Sequence, residues 1–387
     1  MSLKTIKSAI TRNLINIPGW RTKRKIVVFE SDDWGSVRMS SKNAFNFYLK
    51  QNIPVDKCPY NSFDALECNE DLEMLFDVLG SFKDLNNNPV VLTANAVMAN
   101  PDFDKIRKNG FQTYFYEPFT KTLERYPAHN QVYGLYKTGI SEKLFIPQFH
   151  GREHLNVVRW MRALQTGNVY ALMAFKWNMF SLHTGINSSC RSEYLDAFAV
   201  ESNEEMLQLR PIVASGLELF HTLMGYQSRT CIAPCYSWGS DVEQILSEHG
   251  VQALQGIIIQ RFRLFGKKGS YNKRYHYTGQ HNQLSQHYIV RNCSFEPSLL
   301  NGTDPVPDCL ARIQTAFVWH KPAIISTHRL NFMGFLNPSN RERNLKHLKK
   351  LLFDITKRWP DVEFLSSDQL SDLVSGDEIR TNKLNEL

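Results

Sequence analysis

Nothing in the 387 residues approaches the roughly 18 consecutive apolar residues that a bilayer-crossing helix requires. The stretch from Leu3 to Pro18 is interrupted by Lys4, Lys7, Arg12, Asn13 and Asn16, so it lacks the continuous apolar centre of a secretory signal. Cysteine pairs are missing as well. The seven cysteines (Cys58, Cys68, Cys190, Cys231, Cys235, Cys293 and Cys309) are scattered without a C-x-x-C spacing, which argues against a disulfide framework or a thiolate zinc site. Internal repeats and low-complexity linkers are absent, and a chain that is 42% hydrophobic and 21% charged is neither disordered nor fibrous. These absences lead to the expectation of a soluble, cytoplasmic protein with reduced thiols.

Acidic residues are missing from the first 25 positions, which carry seven basic ones (Lys4, Lys7, Arg12, Arg21, Lys23, Arg24 and Lys25). That leaves 38 basic against 38 acidic residues in the remainder, so the net charge of +7 belongs to an N-terminal arm. A neutral body argues against nucleic acid as a partner. Leu3, Ile6, Ile10 and Leu14 follow helical spacing on this arm, residues 1–24, with Lys4, Lys7 and Arg12 off the stripe. Two readings stay open: peripheral contact with an anionic membrane surface, and a helix packed on its own domain with a solvated basic face.

Strand-like runs alternate with helix-like segments through the rest of the chain. The runs are Lys25–Glu30, Pro89–Ala94, Leu144–Phe149, Arg229–Ala233, Ala323–Thr327 and Val362–Leu365, with further candidates at 112–116, 252–254 and 287–290. Ser240-Asp-Val-Glu243 has the form of a capping box opening a helix that stops near Gly250. Leu345, Leu348, Leu351, Leu352 and Ile355 make a one-sided helix over 341–358. The alternation predicts an α/β fold with a mainly parallel sheet or barrel, read as one domain with insertions near 167–205 and 256–300.

In parallel α/β folds the chemistry collects at the C-terminal ends of strands. Those ends carry Asp32-Asp33-Trp34-Gly35, then His150-Gly151-Arg152-Glu153-His154, then Pro234-Cys235-Tyr236-Ser237-Trp238, then His328-Arg329. His150 and His154, four residues apart on a helix starting at the strand end, would share one face and suit one metal, with Asp33 as a third ligand. Asp32 would then be free to take a proton from water, and His328 to return one near neutral pH. An Asp at a strand end otherwise caps a turn, and a lone His is otherwise structural. Trp34 and Trp238 either stack on a sugar face or line the core. The segment also matches H-x-x-E-H, in which Glu153 is the base of a zinc protease and Glu204 or Glu205 the third ligand. That pattern belongs inside a helix, and it leaves Asp32, Asp33 and His328 without a role.

The four clusters, in this order, resemble the polysaccharide deacetylase family of carbohydrate esterases. Phe29-Glu30-Ser31-Asp32-Asp33-Trp34-Gly35 is similar to the family's T-F-D-D-G, His150 to His154 to its H-[ST]-x-x-H, Ile232-Ala233-Pro234-Cys235 to its R-x-P-[YF], and Ser326-Thr327-His328 to its L-x-H. The resemblance implies a distorted (β/α)7-type barrel and a deacetylase domain over 25–387. It implies a divalent metal, usually zinc, held by Asp33, His150 and His154, with Asp32 as general base and His328 as general acid. The backbone N–H of Cys235 matches the donor to the oxyanion. The expected substrate is an acetylated sugar of a glycan or glycan precursor, with Trp34, Trp238, Arg152 and Arg329 as candidate substrate contacts. Ile232 stands where the family has an arginine that orients the catalytic Asp, and Arg329 is the candidate replacement. A catalytically silent carbohydrate-binding relative is the rival from another class, motivated by Ile232.

Overall fold

The computed structural model describes residues 10–182, 194–263, 271–300 and 302–376. Its strands are β1 (Lys25–Trp34), β2 (Leu92–Ala96), β3 (Ala99–Pro101), β4 (Tyr116–Pro118), β5 (Phe145–Phe149), β6 (Thr230–Ile232), β7 (Ala253–Gly256), β8 (Ile259–Arg263), β9 (Tyr271–Tyr275), β10 (His287–Val290), β11 (Cys293–Ser294), β12 (Ala323–His328) and β13 (Val362–Phe364). β10, β7, β6, β5, β2, β1, β12 and β11 are hydrogen-bonded in that order, every pair parallel. The two edges of that order, β10 and β11, are separated in sequence by Arg291 and Asn292 alone. The N–H of Arg291 reaches Gly256 O at 2.8 Å on one side, and that of Asn292 reaches Ile324 O at 3.2 Å on the other. One bent strand thus pairs with both neighbours and closes the sheet into a seven-position barrel. It is distorted at β5–β6, which share the single register pair Phe149↔Cys231.

Burial on both faces explains why these strands read as unbroken apolar runs. In β1 every residue after Lys25 is buried. Outside the barrel pack the helices Asn69–Gly80, Val132–Ser141, Asn203–Met224, Val306–Val318 and Pro338–Arg358. The leucine stripe of the last one is buried as its spacing predicts. The predicted capping box is different: Gly239 is the N-cap of Ser240–Glu248, and Glu243 instead accepts from Trp238 Nε1 and Tyr288 Oη. The segment 112–116 forms no barrel strand; β4 pairs only with β3. The proposed insertion at 256–300 is also too long, because its last part is the closing strand β10–β11. The true excursion is the antiparallel β8–β9 hairpin and the loop after it. The other expected insertion, 167–205, holds the short helix Val169–Lys176, and its residues 183–193 lie outside the described residues.

The arm runs along the N-terminal end of the barrel. Lys321 Nζ donates to Pro18 O, Gly19 O and Trp20 O at 2.6, 2.6 and 2.8 Å, and Asn292 Nδ2 donates to Asn16 Oδ1 at 2.8 Å. Ile10 and Leu14 are 54% and 59% exposed. The described part of the arm therefore docks through polar groups and through Trp20, which packs against the Ile26–Val28–Ile289–Ile324 cluster, while Ile10 and Leu14 of the expected apolar stripe face outward. Leu3 and Ile6 lie outside the described residues.

At the C-terminal end, β1 finishes in a register shift between Ser31 and Trp34, with Asp33 at φ +78° and Gly35 at φ +79°. A regular strand sends adjacent side chains to opposite faces. The left-handed turn at Asp33 breaks that alternation and lets two consecutive carboxylates face one cleft. A Cβ on Gly35 would stand 2.6 Å from Val97 O. Gly35→Ala is expected to cost on the order of 1–3 kcal/mol or more of stability, read from urea unfolding.

Candidate metal centre

Asp33, His150 and His154 bring their ligand atoms together in a buried group, all within 4.8 Å of one another. Asp33 Oδ1 is 3.4 Å from His150 Nε2 and 3.2 Å from His154 Nε2. Two ligands each about 2.0–2.1 Å from a tetrahedral ion are about 3.3–3.4 Å apart, so these spacings are the edges of such a site. His150 Nδ1 donates to Ile232 O at 2.7 Å, which leaves the Nε2 lone pair directed at Asp33. Apart from that approach, the buried His150 Nε2 has no hydrogen-bond partner among the described residues. Burial lowers the His154 pKa, against the pull of Asp33, and favours the neutral imidazole a cation needs. Burial pushes Asp33 up, but His154, His150 and Arg38 hold it well below the ordinary carboxylate range. The donor set fits a divalent cation.

The two histidines reach this geometry without a helix. Residues 150–155 are irregular, and the next helix begins at Val157, capped by Asn156. The segment is held by the N–H groups of Met98 and Ala99 bonding to Arg152 O at 3.0 and 2.7 Å. The H-x-x-E-H reading fails on the same ground. Glu153 Oε1 is occupied by Arg152 Nε at 2.7 Å and Tyr114 Oη at 2.9 Å. Glu204 and Glu205 sit in the first turn of Asn203–Met224, outside the ligand cluster.

Asp32 is anchored from across the barrel. Arg291, on the seam between β10 and β11, donates from Nη1 to Oδ2 at 2.7 Å and from Nη2 to Oδ1 at 2.6 Å. Its Nε donates to Glu30 Oε2 at 2.5 Å, and Asn95 Nδ2 adds 2.8 Å to Asp32 Oδ1. Glu30 and Asp32 are two apart on β1 and so share its inward face. Burial alone would raise the Asp32 pKa, but the Arg291 guanidinium holds it below its ordinary value. Position 232, an isoleucine, offers Asp32 no guanidinium, whereas position 291 does. Arg329 does not take that part. It is fully buried, donating to Asp64 Oδ1 at 2.9 Å, to Glu67 Oε2 at 2.8 Å, and to Ser36 O.

His328 stands on the other side of the cleft, its Nε2 3.8 Å from Asp32 Oδ2. Its Nδ1 bonds Glu296 Oε1 at 2.7 Å, and Asn331 Nδ2 holds the second Glu296 oxygen at 2.7 Å. Burial would lower this imidazole, but Glu296 raises it, with help from Asp32, to about 10. Glu296 had no motif to announce it. Cys235 (φ +56°) and Tyr236 (φ +55°) form a left-handed turn on the cleft wall. The cleft has a volume of about 240 Å³ and is lined by Asp32, Asp33, His150, His154, Cys235 and His328, among others.

Three expected substrate contacts lie elsewhere. Trp34 is fully buried, with Nε1 on Ser31 Oγ at 3.0 Å and its ring edge-on to Phe145 at 4.9 Å. The residue after a left-handed Asp33 points back into the core. Arg152 turns away from the cleft, donating to Glu153 and to Ser215 Oγ at 3.0 Å and lying 4.0 Å over the Tyr116 ring. Trp238 lines a neighbouring hollow rather than the cleft.

No protein-family model matches the sequence, and no curated protein matches it. Solved structures similar to this one include a polysaccharide deacetylase candidate from Mycobacterium smegmatis, with 10% identity over 93% of this chain and 94% of that one, TM-score 0.44. A candidate glycoside hydrolase/deacetylase from Parabacteroides distasonis is 8% identical over 92% and 72% of the two chains, TM-score 0.48. A CE4 family pseudoenzyme from Bacillus anthracis is 10% identical over 90% and 66%, TM-score 0.38. At these identities and TM-scores the likenesses carry no argument about chemistry.

Replacing Arg291 with Met leaves Glu30 and Asp32 buried without their counter-charge. The expected loss is about 3–5 kcal/mol in equilibrium unfolding, against less than about 1 kcal/mol for an exposed pair. The His328–Glu296 pair gives a pH signature. The folded pKa of His328, about 10, lies above its ordinary 6.5. The pair's stabilisation is therefore full below about pH 6.5 and fades as pH rises towards 10. Glu296→Gln should remove it and lower the His328 pKa, as followed by NMR titration of the imidazole.

Proposed function

We propose that this protein is a metal-dependent deacetylase that hydrolyses an acetyl group, most readily an N-acetyl, from a sugar in a glycan or glycan precursor. The observation that carries this reading is a single cleft in which the Asp33–His150–His154 group lies beside an arginine-anchored carboxylate and a glutamate-anchored imidazole. Asp33, His150 and His154 would hold one divalent cation, with zinc expected from the mixed nitrogen and oxygen donors. Such an ion acidifies water and polarises a carbonyl. Asp32, kept ionised by Arg291, accepts the proton of the attacking water. His328, kept protonated by Glu296, donates to the leaving nitrogen. The backbone N–H of Cys235 is assigned to the oxyanion, where one such donor contributes about 2.7–4 kcal/mol.

The catalytically silent reading was motivated by Ile232; the Arg291 guanidinium on Asp32 supports the active reading against it. We place the protein in the cytoplasm, in keeping with free thiols at Cys58, Cys68, Cys231, Cys293 and Cys309. No helix of the described residues is long and apolar enough to cross a membrane. Contact of the basic arm with an anionic membrane surface is part of the proposal. The arm meets β1 at Lys25, seven residues and roughly 23 Å of strand from Asp32. Such a contact would turn the cleft away from the bilayer, which suits a soluble glycan precursor.

Elemental analysis of the purified chain is expected to show about one equivalent of divalent metal, lost in Asp33→Ala or His150→Ala. Asp32→Asn should keep the metal and lower acetate release from acetylated sugars about 10²–10⁴-fold. Full acetate release by a metal-free Asp33→Ala protein would defeat the assignment, and unchanged turnover in Asp32→Asn would remove Asp32 as the base.

A further inference from the structure

Two side chains of the cleft have no part in the chemistry assigned to it: Arg38, in the turn after β1, and Tyr60, in the first turn of the short helix Pro59–Phe63. They meet on one wall. The Arg38 guanidinium lies 5.5 Å over the Tyr60 ring, and that ring stands edge-on to His328 at 5.7 Å. Arg38 Nη2 also comes within 3.8 Å of Asp33 Oδ2, so the wall runs between the metal group and the proton donor. The backbone around Arg38 is fixed on both sides. Val37 N–H donates to Asn100 Oδ1 at 2.8 Å, and Met39 N–H donates to Asp64 O at 3.1 Å.

The polar groups of this wall have donors to spare. Arg38 Nε donates to Asp64 Oδ2 at 3.1 Å, whereas 3.8 Å to Asp33 is beyond hydrogen-bonding reach. Nη1 and Nη2 therefore have no hydrogen-bond partner among the described residues, although the side chain is only 8% exposed. Burial would lower the Arg38 pKa, but Asp33 and Asp64 raise it, so the charge stays. The Tyr60 hydroxyl bonds nothing among the described residues either, and burial, with Glu296 and Asp33, raises its pKa well above the ordinary value, so it keeps its proton.

Behind the wall, Asp64 and Glu67 are matched by Arg38 and Arg329 together, which leaves no surplus of either sign there. In front of it, Asp33 is assigned to a divalent cation, whose second charge it does not cancel. A buried guanidinium with unmet N–H groups costs free energy until an acceptor fills them. A neutral hydroxyl fills one. A carboxylate or phosphate takes two N–H groups of the fork side by side, and it can accept from the Tyr60 hydroxyl as well.

We propose that Arg38 and Tyr60 form an anion-recognising wall, so that the substrate carries a carboxylate or phosphate on a carbon neighbouring the acetylated one. The inference rests on the deacetylase reading and narrows its substrate from any acetylated sugar to an acidic one.

The test is titration calorimetry of the full chain as purified, carrying Asp32→Asn so that the acetyl group survives. The probes are N-acetylglucosamine, its 1-phosphate, N-acetylmuramic acid, and the uncharged methyl ester of the last. At least one acidic sugar is expected to bind at least about tenfold tighter than the two neutral ones, a difference of about 1.4 kcal/mol. Which acidic sugar gains tells carboxylate from phosphate. Arg38→Gln should bring the ratio of acidic to neutral affinity towards one, and Tyr60→Phe should lower it about fivefold. Arg38→Lys, which keeps the charge without the fork, should fall between wild type and Arg38→Gln. Tyr60→Phe removes only an unbonded hydroxyl, so it decides the matter where an Arg38 variant fails to fold or loses its metal. Equal affinities for acidic and neutral sugars would overturn the proposal, as would no binding of any of them. An acid preference that survived both Arg38→Gln and Tyr60→Phe would belong to the cation alone and would do the same. Acetate release by the chain with Asp32 intact is scored separately. A preference for acidic sugars without any acetate release would uphold the wall and sink the deacetylase reading, and release from neutral sugars with no preference would do the reverse.

Discussion

The guanidinium of Arg291 ties the mouth of the barrel together. It leaves the backbone at the one point where the closing strand changes neighbours, and it crosses the interior to grip Glu30 and Asp32 on β1. Ser367 Oγ bonds the remaining Glu30 oxygen at 2.8 Å, so the network ends in a neutral hydroxyl and leaves no bare charge. Burying three charged groups costs several kcal/mol in desolvation apiece, and only near-complete hydrogen bonding recovers it. A bidentate fork meets that demand, which a lysine at the same point would not. The same contact closes the ring mechanically, keeps Asp32 ionised and aims it at the cleft.

The second constraint is local. Two neighbouring carboxylates are of use to one site only if the backbone between them leaves the strand conformation, and the left-handed Asp33 does that. Their surroundings then divide the work. Asp33 faces two imidazoles, whereas Asp32 faces a fixed guanidinium. Across the cleft, Glu296 does for the His328 proton what Arg291 does for the Asp32 charge, in the opposite sense. The lowered Asp32 pKa and the raised His328 pKa follow from these partners, since neither side chain would hold its charge unaided when buried.

The barrel also separates the chain's features by end. The charged arm, with exposed Ile10 and Leu14, sits where the strands begin, and the cleft and its adjoining hollow sit where they finish. At the arm's end Arg12, Arg24 and Lys25 pair with Asp308, Glu363 and Asp361, none of which lines the cleft. The β8–β9 hairpin that walls the hollow is an addition to the barrel, joined to the turn behind the cleft wall by the Trp238 N–H donating to Arg261 O at 2.9 Å.

Several elements could be read directly from the amino-acid order. β1 and β12 are buried on both faces and show as unbroken β-branched runs, and the Leu345–Ile355 stripe shows as a helix. Asp33, His150 and His154 were legible because they sit next to strand ends, where a parallel barrel collects its polar groups. Their joint geometry owes nothing to the helical spacing that suggested it. Trp34, Arg152 and Arg329 share that adjacency but point elsewhere, since a strand end fixes position and not direction. The arginine on Asp32 was hidden for a different reason. Arg291 is 259 residues away in sequence, on a closing strand that looks like part of an insertion, and Glu296 follows it into the same blind stretch. Short-range patterning records which segments must be buried. Pairing across a barrel depends on the closure of the ring, and that is decided only when all seven strand positions are in place.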